Sequence, residues 1–349
     1  MLGLCLGAGS RTACRLLPTG QRLAFSRLLN YVAGSPAPLQ AARRLTAEAL
    51  ADVSPTDWRP CYRAVLVDAA GTFLVPSEPV SSVYLRYARP HGCQLKDEEV
   101  LARFRRVYNM PWGESPLRYV GDARPFWRRV VEYSTGCEVP EVSEAIYEYY
   151  SRAEAWTVTP GFAEALQRLK AAGVLLAVVS NFDTRLRPLL RDLGVDGLFD
   201  AVIVSAEVHA EKPNPVIFDA AIRSLNAAAT TRGTIPIAGL AQRPLPGPSS
   251  TQSYPVSNAH PPLTGFEPLI SGQQRVAAAC APDFGPLFPE QVVHVGDDRR
   301  NDCWGARDAG ITAWLWGSDV RSWAEVADRV LLGSQVDDYY DDLPDAAQN

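Results

Sequence analysis

Four short stretches of the 349-residue sequence carry side chains able to act on phosphorus or carbon. Asp68 closes an apolar run at 62–67 and is followed by Ala69-Ala70-Gly71-Thr72. A carboxylate at the end of a buried strand can be a nucleophile. The small residues after it let the backbone turn tightly and offer amides to an anion. A strand-end Asp is also a common turn former. Ser180, with Asn181 beside it, follows a second apolar run at 174–179. Its hydroxyl can donate to a phosphoryl oxygen, or cap the next helix. Lys212 lies in Glu211-Lys212-Pro213-Asn214-Pro215, where prolines restrict the backbone. It can hold the charge of a nucleophile and an anion together, or be a plain loop lysine. The chain has only three lysines, Lys96, Lys170 and Lys212, so a site that needs an ammonium has few candidates. Asp297 and Asp302 stand in Gly296-Asp297-Asp298-Arg299-Arg300-Asn301-Asp302. Two hard oxygen ligands near one strand end suit Mg²⁺; a charged turn with a helix cap is the plainer alternative.

The elements that must position these residues alternate. Apolar runs at 62–67, 174–179, 201–204, 292–295 and 311–316 read as strands. Continuous apolar strands suit a parallel sheet buried on both faces. Helical patterns lie at 162–172, 185–192, 215–226 and 304–309. Strand–helix alternation predicts a doubly wound, parallel Rossmann-like α/β domain, whose ligand site lies beyond the carboxyl ends of its strands. Asp68, Ser180 and Asp297 all follow such ends.

Two insertions interrupt the pattern. Residues 77–157 contain helical patterns at 79–89, 97–108, 124–135 and 142–153, too much for a simple crossover. A helical cap over the mouth of the site would act as a lid. Within it, Arg118 and Arg124 lie near Trp112 and Trp127. Arginines among aromatics can clamp an anionic, partly apolar substrate, or serve packing and ion pairing. Residues 227–289 are rich in Pro, Ser and Gly with no clear period, which predicts a disordered surface excursion.

Composition narrows the function classes. The chain is 47% hydrophobic and 21% charged, ordinary globular values. A net charge of −5 argues against a general nucleic-acid binder, and no run is long and apolar enough to span a membrane. Seven scattered cysteines without a Cys-x-x-Cys pair read as reduced thiols. Residues 1–56 differ from the rest: Arg11, Arg15, Arg22, Arg27, Arg43 and Arg44 recur before Glu48, the first acidic residue. That composition predicts an organellar transit peptide, mitochondrial first and chloroplast as the alternative. The acidic stretch within 334–349 reads as a solvated tail. Nothing in the sequence fixes an oligomeric state.

Taken in order, VDAAGT, VVSN, EKPNP and VGDDRRND followed by WGARDAG resemble the motifs of the haloacid dehalogenase-like (HAD-like) hydrolase superfamily. SNFDTRLRPLL and AEKPNPVIF look most like its branch called haloacid dehalogenase-like hydrolase domain-containing protein 3, particularly the plant members. The resemblance implies a HAD-like core over 60–76 and 158–325 with a cap of the first type over 77–157. It implies Asp68 as the nucleophile that forms an aspartyl-phosphate, Thr72 as support for the phosphate loop, Ser180 on the phosphoryl group and Lys212 as charge stabiliser. It further implies Mg²⁺ held by Asp68, the Ala70 carbonyl and Asp297, assisted by Asp302, and a small phosphorylated metabolite as partner.

One departure matters. Phosphatases of this superfamily carry a second Asp two residues after the nucleophile, where this chain has Ala70. A general acid–base group typically supplies about 10²–10⁴-fold. The readings that follow are a slow phosphatase or acyl-phosphate hydrolase, a cap-supplied acid (Asp122 or Glu114), or a phospho-ligand-binding pseudoenzyme. An enzyme like phosphonoacetaldehyde hydrolase would need Lys96 as its Schiff base. The superfamily's dehalogenases carry Tyr at position 70 and lack the Gly-Asp motif.

Overall fold

The computed structural model describes residues 60–112, 117–231 and 285–333. The expected transit segment 1–56, most of the insert at 227–289, the tail at 334–349 and Glu114 lie outside these residues. The chain divides into two units, Met1–Ala228 with Leu287–Asn349, and Ala229–Pro286; the second is described only at its ends.

Among the described residues a five-stranded parallel sheet has the order β5-β4-β1-β6-β7. Its strands are β1 (Ala64–Val67), β4 (Leu175–Ser180), β5 (Ala201–Val204), β6 (Val292–Gly296) and β7 (Thr312–Leu315). Every residue of β1, β4 and β6 is buried, as their predominantly apolar runs lead one to expect of central parallel strands, with His294 in β6 and Ser180 at the end of β4 as the polar members. The central strand β1 pairs Val67 with Val178 on one side and with Val295 on the other. The chain leaves β1 toward β4 and β5, then returns to β6 and β7 on the opposite side. This reversal is the topological switch point at which α/β sheets bind ligands.

The helical insertion stands on a two-stranded antiparallel ribbon, β2 (Leu74–Pro76) and β3 (Trp156–Val158). It comprises α1 (Val80–Ala88), α2 (Asp97–Tyr108), α3 (Arg124–Thr135) and α4 (Pro140–Tyr149). Helix α2 has Asp97, Glu98 and Glu99 in its first turn and Arg105 and Arg106 in its last, each complementing the helix dipole. Lys96 is its exposed N-cap. One cap cluster gathers Tyr84, Leu85, Val100, Val131, Val142 and Ile146, while Tyr119, Phe126 and Val130 join the main core.

The remaining helices are α5 (Phe162–Ala171), α6 (Leu186–Asp192), α7 (Ser205–Val208), α8 (Pro215–Thr231), α9 (Gly305–Asp308) and α10 (Trp323–Leu332). Two boundaries differ from the sequence expectation. Helix α8 continues to Thr231, and Leu287 is buried and exchanges hydrogen bonds with the Asn226 amide, so the excursion starts later and ends earlier than 227–289. The helix expected at 304–309 begins at Arg299 as a π-helical turn, Arg299–Trp304. There Asp298 accepts from the Arg300 and Asn301 amides, and the wide turn carries Asp302 back toward the sheet.

Candidate active site

Beyond the carboxyl ends of β1 and β6, polar side chains from separate loops converge. The Asp68 amide still donates to the Val295 carbonyl at 2.9 Å, so the carboxylate leaves the sheet at its centre. Lys212 enters from the loop before α8 and is 3% exposed. Its Nζ donates to Asp68 Oδ1 at 2.6 Å and to Asp302 Oδ1 at 2.5 Å. The lysine is gripped by its backbone: its N–H donates to Asn181 Oδ1 at 2.6 Å, and Asn181 Nδ2 donates to its carbonyl at 3.0 Å. Ser180 ends β4 and is buried.

Thr72 Oγ1 donates to Asp297 Oδ1 at 3.2 Å. Carboxylate oxygens of Asp68, Asp297 and Asp302 lie within 4.8 Å of one another, with Asp297 on the exposed side. Two glycines permit this approach. A β-carbon on Gly71, which has a φ of +95°, would collide with the Asp297 carboxyl, and one on Gly296 with that of Asp302.

The electrostatics follow from crowding three carboxylates against one ammonium. Burial raises the Asp68 carboxyl above its usual range, opposed chiefly by Lys212. Partial burial, then the charges of Asp68 and Asp302, push Asp297 up to about 6. Burial would raise Asp302 as well, but Lys212 and His294 outweigh it and hold that carboxyl below the usual range. Burial would lower the Lys212 ammonium, and Asp302 and Asp68 reverse this, holding it charged. The surplus negative charge and the hard oxygen donors fit a divalent cation such as Mg²⁺.

Other expected residues sit elsewhere. Ala70, two residues after Asp68, is half-buried and offers no side-chain acid. Arg118 Nε donates to Glu211 Oε2 at 3.1 Å, and its guanidinium lies over the rings of Tyr108 and Tyr119. Arg124 pairs on the outer cap with Asp122, Glu144 and Glu148, so Asp122 is engaged there. Trp127 Nε1 donates to Asp183 Oδ2 at 3.0 Å, and Trp112 meets Phe126 edge-on. Two surface depressions on the cap, about 550 and 330 Å³, have none of the cluster residues in their lining.

Three residues gain roles that the sequence left unassigned. Glu211 accepts from the Arg118 side chain and from the Arg118 and Tyr119 amides, tying the cap to the lysine loop. Fully buried Asp183 accepts from Trp127 and Arg185, and Arg185 Nη1 reaches the Tyr147 carbonyl at 3.1 Å. His294 Nε2 lies 2.9 Å from Asp302 Oδ1. Its signal was a polar residue inside the apolar run of β6; Asp183 and Glu211 sat in quoted motifs, but their partners are far away in sequence.

Fold and site together define a capped, doubly wound α/β protein with a lysine-bridged acidic centre. A family model described as haloacid dehalogenase-like hydrolase matches residues 62–231. The chain is 33% identical over 171 residues to the mouse (Mus musculus) haloacid dehalogenase-like hydrolase domain-containing protein 3, covering 46% of this chain and 68% of that one. It is 30% identical over 166 residues to an uncharacterised hydrolase of Schizosaccharomyces pombe, covering 46% of this chain and 72% of the relative. Among solved structures, a HAD phosphatase from Thermococcus onnurineus is similar over 75% of this chain and 90% of its own, at 21% identity and a TM-score of 0.42, a likeness that bears on neither activity nor substrate. The chain belongs to the haloacid dehalogenase-like hydrolase family.

Proposed function

We propose that the chain hydrolyses a small phosphorylated metabolite, a phosphomonoester or an acyl phosphate, through Asp68 and with Mg²⁺. The observation that carries this reading is Lys212 bridging Asp68 and Asp302 at the switch point of the sheet, with Asp297 at its open side. In this reading an Asp68 carboxylate oxygen attacks phosphorus. The P–O bond to the leaving alcohol or carboxylate breaks, that group departs with the bonding pair, and water then releases phosphate from the aspartyl-phosphate. Lys212 holds the Asp68 carboxylate in place and offsets charge on the phosphoryl oxygens. Ser180 donates to one of those oxygens, and Thr72 steadies Asp297. Asp68, Asp297, Asp302 and the Ala70 carbonyl are the residues that would hold Mg²⁺, which when bound neutralises phosphoryl charge.

Ala70 shapes the second step. With no side-chain acid or base there, water must attack the aspartyl-phosphate unassisted from that position, and the reading predicts slow turnover. An acyl-phosphate leaving group needs little protonation, which favours that substrate class. The missing side chain also favours a second reading, binding of a phosphorylated ligand without turnover.

The test is hydrolysis of acetyl phosphate and p-nitrophenyl phosphate, with Mg²⁺ or with chelator, by wild type and Asp68→Asn. Mg²⁺-dependent release of phosphate that Asp68→Asn abolishes supports hydrolysis. Saturable binding of a phosphate ester without any turnover supports the second reading.

A further inference from the structure

His294 occupies the middle of β6, paired in register with Leu66 and Ala313, and is wholly buried. It is the polar residue of an otherwise aliphatic strand, Val292-Val293-His294-Val295-Gly296. Val293 and Val295 belong to the main hydrophobic cluster, and His294 points to the opposite face. There the ring of Phe218, from the helix that follows the lysine loop, meets the imidazole edge-on at 5.3 Å. Among the described residues no atom bonds Nδ1, whereas Nε2 lies on Asp302 Oδ1. A buried nitrogen without a partner is costly, and a leucine would fill the strand position without that cost.

The hydrogen bonds around Asp302 give the histidine a task. Asp302 Oδ1 accepts from Lys212 Nζ and faces His294 Nε2, and Oδ2 accepts from the Asp298 amide at 2.9 Å. With the Lys212 ammonium and the Asp298 amide already donating to it, the Asp302 carboxylate faces the imidazole as an acceptor, so Nε2 donates to Oδ1. These donors leave the carboxylate one orientation. That orientation sets where the ammonium of Lys212 sits against Asp68.

We propose that His294 is a positioning residue that fixes Lys212 by holding Asp302. The proposal rests on the reading of Lys212 as the charge-stabilising lysine, and its test has a readout independent of turnover. Lys212 is the one buried lysine of the three, so in protein carrying ¹⁵N-labelled lysine its Nζ–H signal is separable, with Lys96→Arg and Lys170→Arg as assignments. Three variants of the full chain serve. His294→Leu removes the donor, His294→Gln keeps one, and Phe218→Leu loosens the same packing without touching the hydrogen bond.

In His294→Leu, hydrogen exchange at Lys212 Nζ should accelerate about tenfold, and kcat for acetyl phosphate should fall about tenfold with KM within about twofold. His294→Gln should recover most of both, and Phe218→Leu should leave exchange near wild type. Wild-type exchange in His294→Leu would overturn the proposal, as would equal acceleration in Phe218→Leu. Should His294→Leu fail to fold, the wild-type imidazole decides: ¹⁵N shifts must show a proton on Nε2, and an imidazole protonated on Nδ1 alone overturns the proposal. Absence of turnover in wild type would count against the hydrolase reading alone, because lysine exchange and the Nε2 proton still decide the role of His294.

Discussion

The sheet core and the cap solve burial in opposite ways. The core surrounds its centre with Val, Leu and Ala and then buries full charges there: Asp68, Lys212 and Asp302, with Asp183 close by in sequence to Ser180. Each is held by at least one short hydrogen bond to a neighbour. The cap buries rings instead. Tyr108, Tyr119, Phe126 and Trp127 pack with centroids 5.2 to 6.3 Å apart, and most cap carboxylates stay at the surface, paired with arginine. Buried charges must be compensated in one geometry or they destabilise the fold. Ring-on-ring contacts tolerate offset and tilt. The difference teaches a division of labour: the core holds buried charges in one geometry, which the proposed hydrolysis would use to fix its reacting atoms, while the cap packs rings that tolerate small shifts. Arg118 on Glu211 and Trp127 on Asp183 are two of the joints between the two regions.

The largest effects should come from the core. Asp68→Asn should lower phosphoryl hydrolysis by more than about 10³-fold while circular dichroism stays unchanged. Comparable activity in that variant would move the chemistry away from β1. Ala70→Asp should raise kcat by about 10²–10⁴-fold, measured with acetyl phosphate and Mg²⁺; an unchanged rate would mean that an acid from elsewhere already serves. Lys212→Ala strands two buried carboxylates and should cost about 3–5 kcal/mol of stability in urea titration. A loss below about 1 kcal/mol, the range of exposed pairs, would break the contrast between core and cap.

The cap should show its own signature at high pH. Burial first of all raises the phenols of Tyr84, Tyr108, Tyr119 and Tyr150, and raises Tyr147 to about 12. A phenol with a raised folded-state pKa adds stability below its unfolded value, near 10, and loses it as pH rises through the folded value. Tyrosinate absorbance should therefore rise cooperatively above about pH 10, together with loss of ellipticity. Smooth titration near the ordinary value, with the fold intact, would show the rings to be accessible.

The smallest effects separate the joints from the surface. Arg118→Ala should cost about 1.5–3 kcal/mol because a nearly buried Glu211 loses its side-chain partner. Arg124→Ala should change stability by less than about 1 kcal/mol, since its side chain is 42% exposed. Reversal of that order in thermal melts would mean that the joint is not where cap and core are tied.

How much of this was legible varies with how local the cause is. The sheet strands were legible because each is a largely apolar run stopped by a polar residue or a glycine, and those stops put Asp68, Ser180 and Asp297 at one end of the sheet. The ribbon β2–β3 was not legible: each strand has three residues, and one includes Pro76. The π-turn was not legible either, because its shape follows from where Asp302 finds partners, and those partners are His294 and Lys212. Helix α10 was legible and unread. Ser322 accepts from the Glu325 amide, and Trp323, Val326, Ala327, Val330 and Leu331 repeat at helical spacing. Arg118 and Arg124 are alike in sequence and differ in place: one faces the lysine loop, the other solvent. That distinction depends on how the cap helices dock.

The most direct test of Asp68 as a phosphoryl acceptor is intact-mass spectrometry of the protein after incubation with Mg²⁺ and acetyl phosphate. The account predicts that wild type gains the mass of one phosphoryl group, that Asp68→Asn gains none, and that in Ala70→Asp the adduct is short-lived. An adduct that persists in Asp68→Asn, or wild-type turnover of acetyl phosphate that leaves no adduct even when quenched within one catalytic cycle, would contradict it.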